Sequence, residues 1–182
     1  MEIIRTKYFV AILIPVRKDR LFIGIRGTQF AYDWLINVNI AKAKDRASGE
    51  YFHVGFLREA EELELALQQR MTSRYADRDS YVAGHSLGGA IGALINRWQP
   101  IKGCYIFGTP RIGNVSRLGR LFEPFAMRRH LDVIPHCPPA AFRYANFKSQ
   151  IAPDGQPFTE ADGLELYFFA SWLLQLSLNL AI

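Results

Sequence analysis

The chain is 182 residues long, which suits one domain able to bury a proper core without a disulfide or metal staple. With 49% hydrophobic and 13% aromatic residues it has a globular composition, and this excludes a disordered polymer. Its formal charge of +5 rests on 22 Lys plus Arg against 17 Asp plus Glu, but no dense basic run is interleaved with aromatics, so nucleic acid is not an expected partner. A mild affinity for anionic surfaces, acidic lipid included, is the electrostatic expectation. The arginines Arg111, Arg117, Arg120, Arg128 and Arg129 read as solvated loop charges. Cys104 falls in an apolar strand pattern and Cys137 in a Pro-rich loop; two cysteines make no disulfide framework, although a single bridge stays open. No Cys/His spacing suits a metal, so no metal or cofactor is expected.

In chain order, residues 8–16 (YFVAILIPV) follow Arg5 and Lys7 and faintly imitate a signal peptide. Arg17-Lys18-Asp19-Arg20 comes next, with no small-residue cleavage site, so a buried strand and a cytoplasmic protein are expected. Tyr8–Val16 and Leu21–Arg26 read as a hairpin around that charged tetrad. Residues 56–71 carry strong helix formers in an amphipathic pattern. Ser80–Ala83 reads as a strand, Ala90–Trp98 as a helix and Lys102–Phe107 as a strand, with Phe125–His130 and Phe142–Phe147 as two further strands. The alternation predicts an α/β domain with a mainly parallel central sheet and helices on its faces. From Leu166 to Ile182 the chain has no charge. That run is at the short limit for a membrane span, and Gln175, Ser177 and Asn179 favour a buried C-terminal helix instead. Nothing caps it, so the expectation is one domain over 1–182 that is cut short at its C-terminus.

Residues 81–90 (YVAGHSLGGA) carry the chemistry. An apolar strand runs through Gly84-His85-Ser86-Leu87-Gly88 into a helix, the strand–turn–helix setting that a nucleophile elbow requires. Gly84 and Gly88 lack Cβ, so strand and helix can pass closely, and the Ser86 hydroxyl projects above the sheet. The N–H of Leu87, at the positive end of the helix, points where an oxyanion would form. Asp132 follows an apolar–basic run and precedes Pro135, where an acid just past a strand end belongs; the alternative is a turn aspartate.

Six blocks occur in an order that resembles the class 3 lipase family, α/β-hydrolases that include the filamentous-fungal triacylglycerol lipases: IGIRGT at 23–28, DWLINV at 33–38, HVGF at 53–56, GHSLGGA at 84–90, FGTPRIGN at 107–114 and LDVIPHCPP at 131–139. The resemblance implies an α/β-hydrolase fold and a serine esterase or lipase, with Ser86 as nucleophile, Asp132 as acid, and Thr28 with Leu87 as oxyanion donors. Its substrate would be a carboxylic ester or lipid, with contact to a lipid surface open. It places a lid at Gln29–Val38, where Phe30, Trp34, Leu35 and Val38 share one helical face; packed core explains the same stripe equally well.

The family's histidine comes late in the chain, and only His136 follows Asp132. His53 reads as structural, the His85 side chain should point away from Ser86, and His130 belongs to a strand. His136, in a loop, is a weak substitute. Either the base is encoded beyond Ile182, or the fold is a catalytically silent module that binds lipid or a partner. A membrane anchor at 166–182 is compatible with both.

Overall fold

The computed structural model describes residues 1–6, 9–27, 40–46, 48–114, 123–129 and 132–152. Apolar runs on either side of the Arg17–Asp19 turn form the expected hairpin. Strand β2 (Val10–Val16) pairs antiparallel with β3 (Arg20–Arg26), from Val16 against Arg20 to Val10 against Arg26. Leu21, Ile23 and Ile25 alternate into the core, while Phe22 stacks on Tyr81 on the other face with ring centroids 5.2 Å apart. A four-residue strand that the sequence pattern did not disclose, β1 (Glu2–Arg5), flanks β2. Glu2 ties it to the first helix, accepting from Arg70 Nε at 2.6 Å, and that bond holds its carboxyl below the usual range.

Strands β4 (Lys42–Lys44) and β5 (Tyr51–His53) make a small separate sheet that leads into helix α1 (Val54–Arg74). His53 caps this helix, its Nδ1 accepting from Gly55 N at 3.2 Å and its ring lying 4.3 Å from that of Phe56, so it is structural as expected. Phe56, Leu57, Ala60, Leu63 and Leu67 form the buried stripe of α1. Helix α2 (Leu87–Trp98) is buried from Leu87 through Asn96, lying on β3, β6 (Asp79–His85) and β7 (Ile101–Phe107) and against α1. It starts three residues earlier than the sequence pattern suggests, directly at the end of the elbow.

Strand β8 is Phe125–Arg129 and β9 is Ser149–Ala152, giving a seven-stranded sheet ordered β1-β2-β3-β6-β7-β8-β9. It is parallel from β3 to β9 and antiparallel only across β1, β2 and β3. The carboxyl end of β6 therefore opens at the middle of the edge where α/β sheets bind ligands.

One expected strand is corrected. Phe142–Phe147 does not pair in the sheet; Ala140–Phe142 forms a 3-10 turn, closed by Arg143 in a left-handed conformation at φ 60°. Its aromatic alternation reflects the burial of Tyr144 and the packing of Phe147 on the core, and the ladder position is taken by β9. Cys104 and Cys137 are both free, and burial pushes the Cys104 thiol up to about 12. No helix among the described residues is long and apolar enough to cross a membrane, and the run 164–182 lies outside the described residues.

Two leucines of α1 test this core. Leu63 is fully buried, whereas Leu65 is 68% exposed. Leu63→Ala should cost about 2–5 kcal/mol in urea unfolding, and Leu65→Ala less than about 0.5 kcal/mol.

Candidate functional site

Strand β6 ends at His85, and the next residue breaks the strand geometry. Ser86 sits at φ 54°, ψ −125°, a conformation that costs a non-glycine residue roughly 1–3 kcal/mol. Three backbone bonds hold it there: Ser86 N donates to Phe107 O at 2.8 Å, and Ser86 O accepts from Gly89 N at 3.0 Å and Ala90 N at 3.3 Å. The turn closes only because glycines surround it. A side chain on Gly84 would strike the carbonyl of Gly88, and one on Gly88 would strike Ile25 O and lie 2.8 Å from Gly27 N. The exit of β3, the end of β6 and the first turn of α2 thus meet backbone to backbone. Ser86 is buried at the N-terminus of α2, and its hydroxyl makes no cap bond there.

Beside it, the position where a Gly27 Cβ would stand lies 2.9 Å from His85 O, 3.4 Å from Gly88 N and 3.5 Å from Leu87 N. The chain leading into Thr28 therefore crosses the N–H groups at the start of the helix. Thr28 itself and the expected lid at Gln29–Val38 lie outside the described residues.

Asp132 arrives from beyond β8, two strands away from β6. Its Oδ1 accepts from Ile134 N at 3.0 Å, and its Oδ2 lies 2.9 Å from the position a Cβ of Gly108 would occupy. Gly108 has φ 52°, so it is free of both the strain and the clash that a side chain would bring. His85 Nε2 lies 3.5 Å from the same point. The Ser86 neighbour therefore turns its ring toward Asp132, as the sequence reading expects of a side chain directed elsewhere. Although His85 keeps part of its surface exposed, desolvation lowers its pKa; the Asp132 charge opposes that shift and Arg129 adds to it.

The loop carrying Asp132 is held by a residue misread in the sequence. Arg111 is not a solvated charge; it is only 6% exposed. Its guanidinium donates to His136 O at 2.6 Å, Pro138 O at 2.8 Å and Asn146 Oδ1 at 2.6 Å, while its own N–H donates to Cys137 O at 2.7 Å. Two carbonyls and a side-chain amide turned inward supply the acceptors that make burial of the fork tolerable. The other arginines of that set divide: Arg129 is exposed, Arg128 is half-buried beside His136, and Arg117 and Arg120 lie outside the described residues. His136 Nε2 is 3.1 Å from Arg128; a guanidinium only donates, so that nitrogen accepts and faces Arg128. His130 lies outside the described residues.

The family blocks also touch one another. His53 N donates to Ile112 O, Phe52 bridges to Gly113, and Asn114 N donates to Tyr51 O, so β5, which ends at the first residue of the 53–56 block, is joined to the end of the 107–114 block. A family description, lipase (class 3), matches residues 22–142. The chain belongs to the class 3 lipases. Lipase ZK262.3 of Caenorhabditis elegans is 39% identical over 79 residues, covering 36% of this chain and 22% of that protein. Toxin TseL of Vibrio cholerae is 32% identical over 105 residues, covering 53% of this chain and 16% of that one. This class 3 lipase chain thus spans less than a quarter of either curated relative. Among solved structures, the native Rhizomucor miehei lipase propeptide complex superimposes with a TM-score of 0.69 at 24% identity, covering 86% of this chain and 58% of that one. The fold is that of the α/β-hydrolase lipases.

Two measurements probe this architecture. Arg111→Ala strands buried carbonyls and should cost about 3 kcal/mol or more in chemical denaturation. The lowered pKa of His85 means that the folded chain binds its proton less readily than the unfolded chain does. Stability should therefore fall as pH drops below about 6.5, and His85→Gln should flatten that part of the curve, read as the urea midpoint across the range.

Proposed function

We propose that this chain carries the nucleophile and acid of a carboxylic ester hydrolase acting on lipid or related esters through an acyl-serine intermediate. The observation that carries the reading is the strained elbow of Ser86, seated at a helix N-terminus with Gly27 folded over Leu87 N. In this scheme Ser86 Oγ attacks the ester carbonyl. The N–H groups of Leu87 and Thr28 receive the oxyanion, the alcohol leaves with a proton, and water then releases the acid from Ser86. Asp132 would orient the base and balance its positive charge. The scheme requires no cofactor or metal.

The base is not assigned to a residue of this chain. No histidine follows His136 in the sequence, and His136 is turned to Arg128. That pair of observations favours a second reading, a silent module on the same fold that binds lipid or a partner without turnover.

Imidazole rescue separates the two. Loss of a triad histidine alone costs roughly 10⁶-fold in turnover, with a residual of roughly 10³–10⁴ over water from the remaining groups. The 182-residue chain should hydrolyse a p-nitrophenyl ester only slightly faster than its Ser86→Ala variant, and added imidazole should widen that difference. A fluorophosphonate should label Ser86 alone, faster with imidazole. Labelling elsewhere, or an imidazole effect equal in Ser86→Ala, would leave the silent module. Brisk turnover without imidazole that disappears in His136→Ala or His85→Ala would identify a base within the chain.

A further inference from the structure

The buried guanidinium of Arg111 has acceptors but no counter-ion. Its partners are two backbone carbonyls and a side-chain amide, all neutral, and among the described residues no carboxylate lies within ion-pair distance of it. A buried charge is ordinarily matched by one of opposite sign. Against this cation lies a cavity of about 190 Å³. His136 and Asn146, whose oxygens Arg111 holds, form part of its wall, so the guanidinium stands behind the lining. Arg128 brings a second cation to the same wall, where it donates to His136 Nε2. Among the described residues no Asp or Glu lines the cavity. Asp132, three residues before Pro135, turns its carboxylate to Ile134 N and Gly108 instead. Ser86, Leu87 and Gly27 do not line it either, so the cavity is separate from the elbow.

The lining has an apolar floor and a polar rim. Ile106 and Ala126 are buried, and Phe147 packs on the same core. On the rim, His136 and Asn146 are exposed and Arg128 is half-buried. An arginine only donates, so Asn146 turns Oδ1 to Arg111 and leaves its NH2 end, a donor, for a ligand. Cations over an apolar floor match an anion that carries an alkyl tail, and a guanidinium matches a carboxylate best. An apolar cavity of about 150 Å³ accepts benzene, so this one has room for an acid of roughly eight heavy atoms, the size of hexanoate.

We propose that this cavity is a binding site for a short-chain carboxylate, with the alkyl tail over Ile106, Ala126 and Phe147 and the carboxylate at Arg128 and Asn146, in the field of Arg111. Such an acid is the kind of product that the ester-hydrolase reading releases, and in that respect the proposal deepens that reading by giving the product a second site. Binding is measured without turnover, so either can fail while the other stands.

The test is isothermal titration calorimetry of the full chain with hexanoate, hexanol and inorganic phosphate at equal ionic strength. Hexanoate should saturate a single site. Hexanol has the tail without the charge and phosphate the charge without the tail, and each should bind at least about tenfold more weakly. Arg128→Gln removes the charge but keeps a donor, and should weaken hexanoate about tenfold. Ala126→Leu fills the floor and should abolish binding. Melting temperatures without ligand establish that the variants fold, and if one of them does not, the other decides. The proposal is overturned if hexanoate does not bind, or if hexanol or phosphate binds as well as hexanoate. It is also overturned if either folded variant binds hexanoate as the parent does, since the acid would then sit elsewhere, beside Ser86 for example.

Discussion

The architecture depends on one contact: bare backbone against bare backbone where Gly84, Gly88 and Gly27 come together. At this point β3, β6 and α2 approach more closely than any side chain permits, and that approach sets the pitch of the helix over the sheet. The strain at Ser86 is tolerated because the elements on either side of it are already committed. Helix α2 is buried along nearly its whole length, and β6 is paired on both edges. A relaxed Ser86 would have to lift one of them out of the core. The same closeness sets the first N–H groups of α2 beside Ser86 and Gly27 at the carboxyl end of β6.

A second joint works at longer range. Arg111 follows β7 by four residues, yet its acceptors come from residues 136, 138 and 146. It connects the loop that presents Asp132 to the exit of the neighbouring strand. The turn at 134–136 passes this hold back to the carboxylate through Ile134 N. Charge in this protein is therefore used in two ways: one guanidinium is withdrawn as an internal strut, and others, such as Arg143, remain outside where counter-charge can reach them.

Much of this was legible in the residues. The elbow could be read because its constraint is local: Gly-x-Ser-x-Gly between an apolar strand and a helix encodes a turn by itself. The hairpin at 10–26 and helix α1 were legible for the same reason, their periodicity being complete within a short window. Arg111 was misread because its neighbours in sequence, Pro110 and Gly113, are loop residues, while the groups that bury it are distant along the chain. Strands β1, β4 and β5 are too short to carry a period. The 142–147 segment showed a strand-like alternation whose cause is the burial of Tyr144. Thr28, the 29–38 segment and the apolar C-terminal run lie outside the described residues, so their expected roles stand as sequence readings alone.

The mixed directions of the sheet have a kinetic consequence. The antiparallel β1-β2-β3 unit is built from neighbours in sequence, and a hairpin of this kind forms in about 1–10 μs. The β3–β6 ladder instead joins Ile25 to Gly84, closing a loop of about sixty residues before any bond rewards it. The glycine junction belongs to that late event. During folding the chain would thus hold a finished hairpin whose β3 edge awaits β6, and the strained serine would come into being only when that edge is covered. Mutations inside the hairpin should then act on the rate of folding, and mutations at the glycine junction on the rate of unfolding.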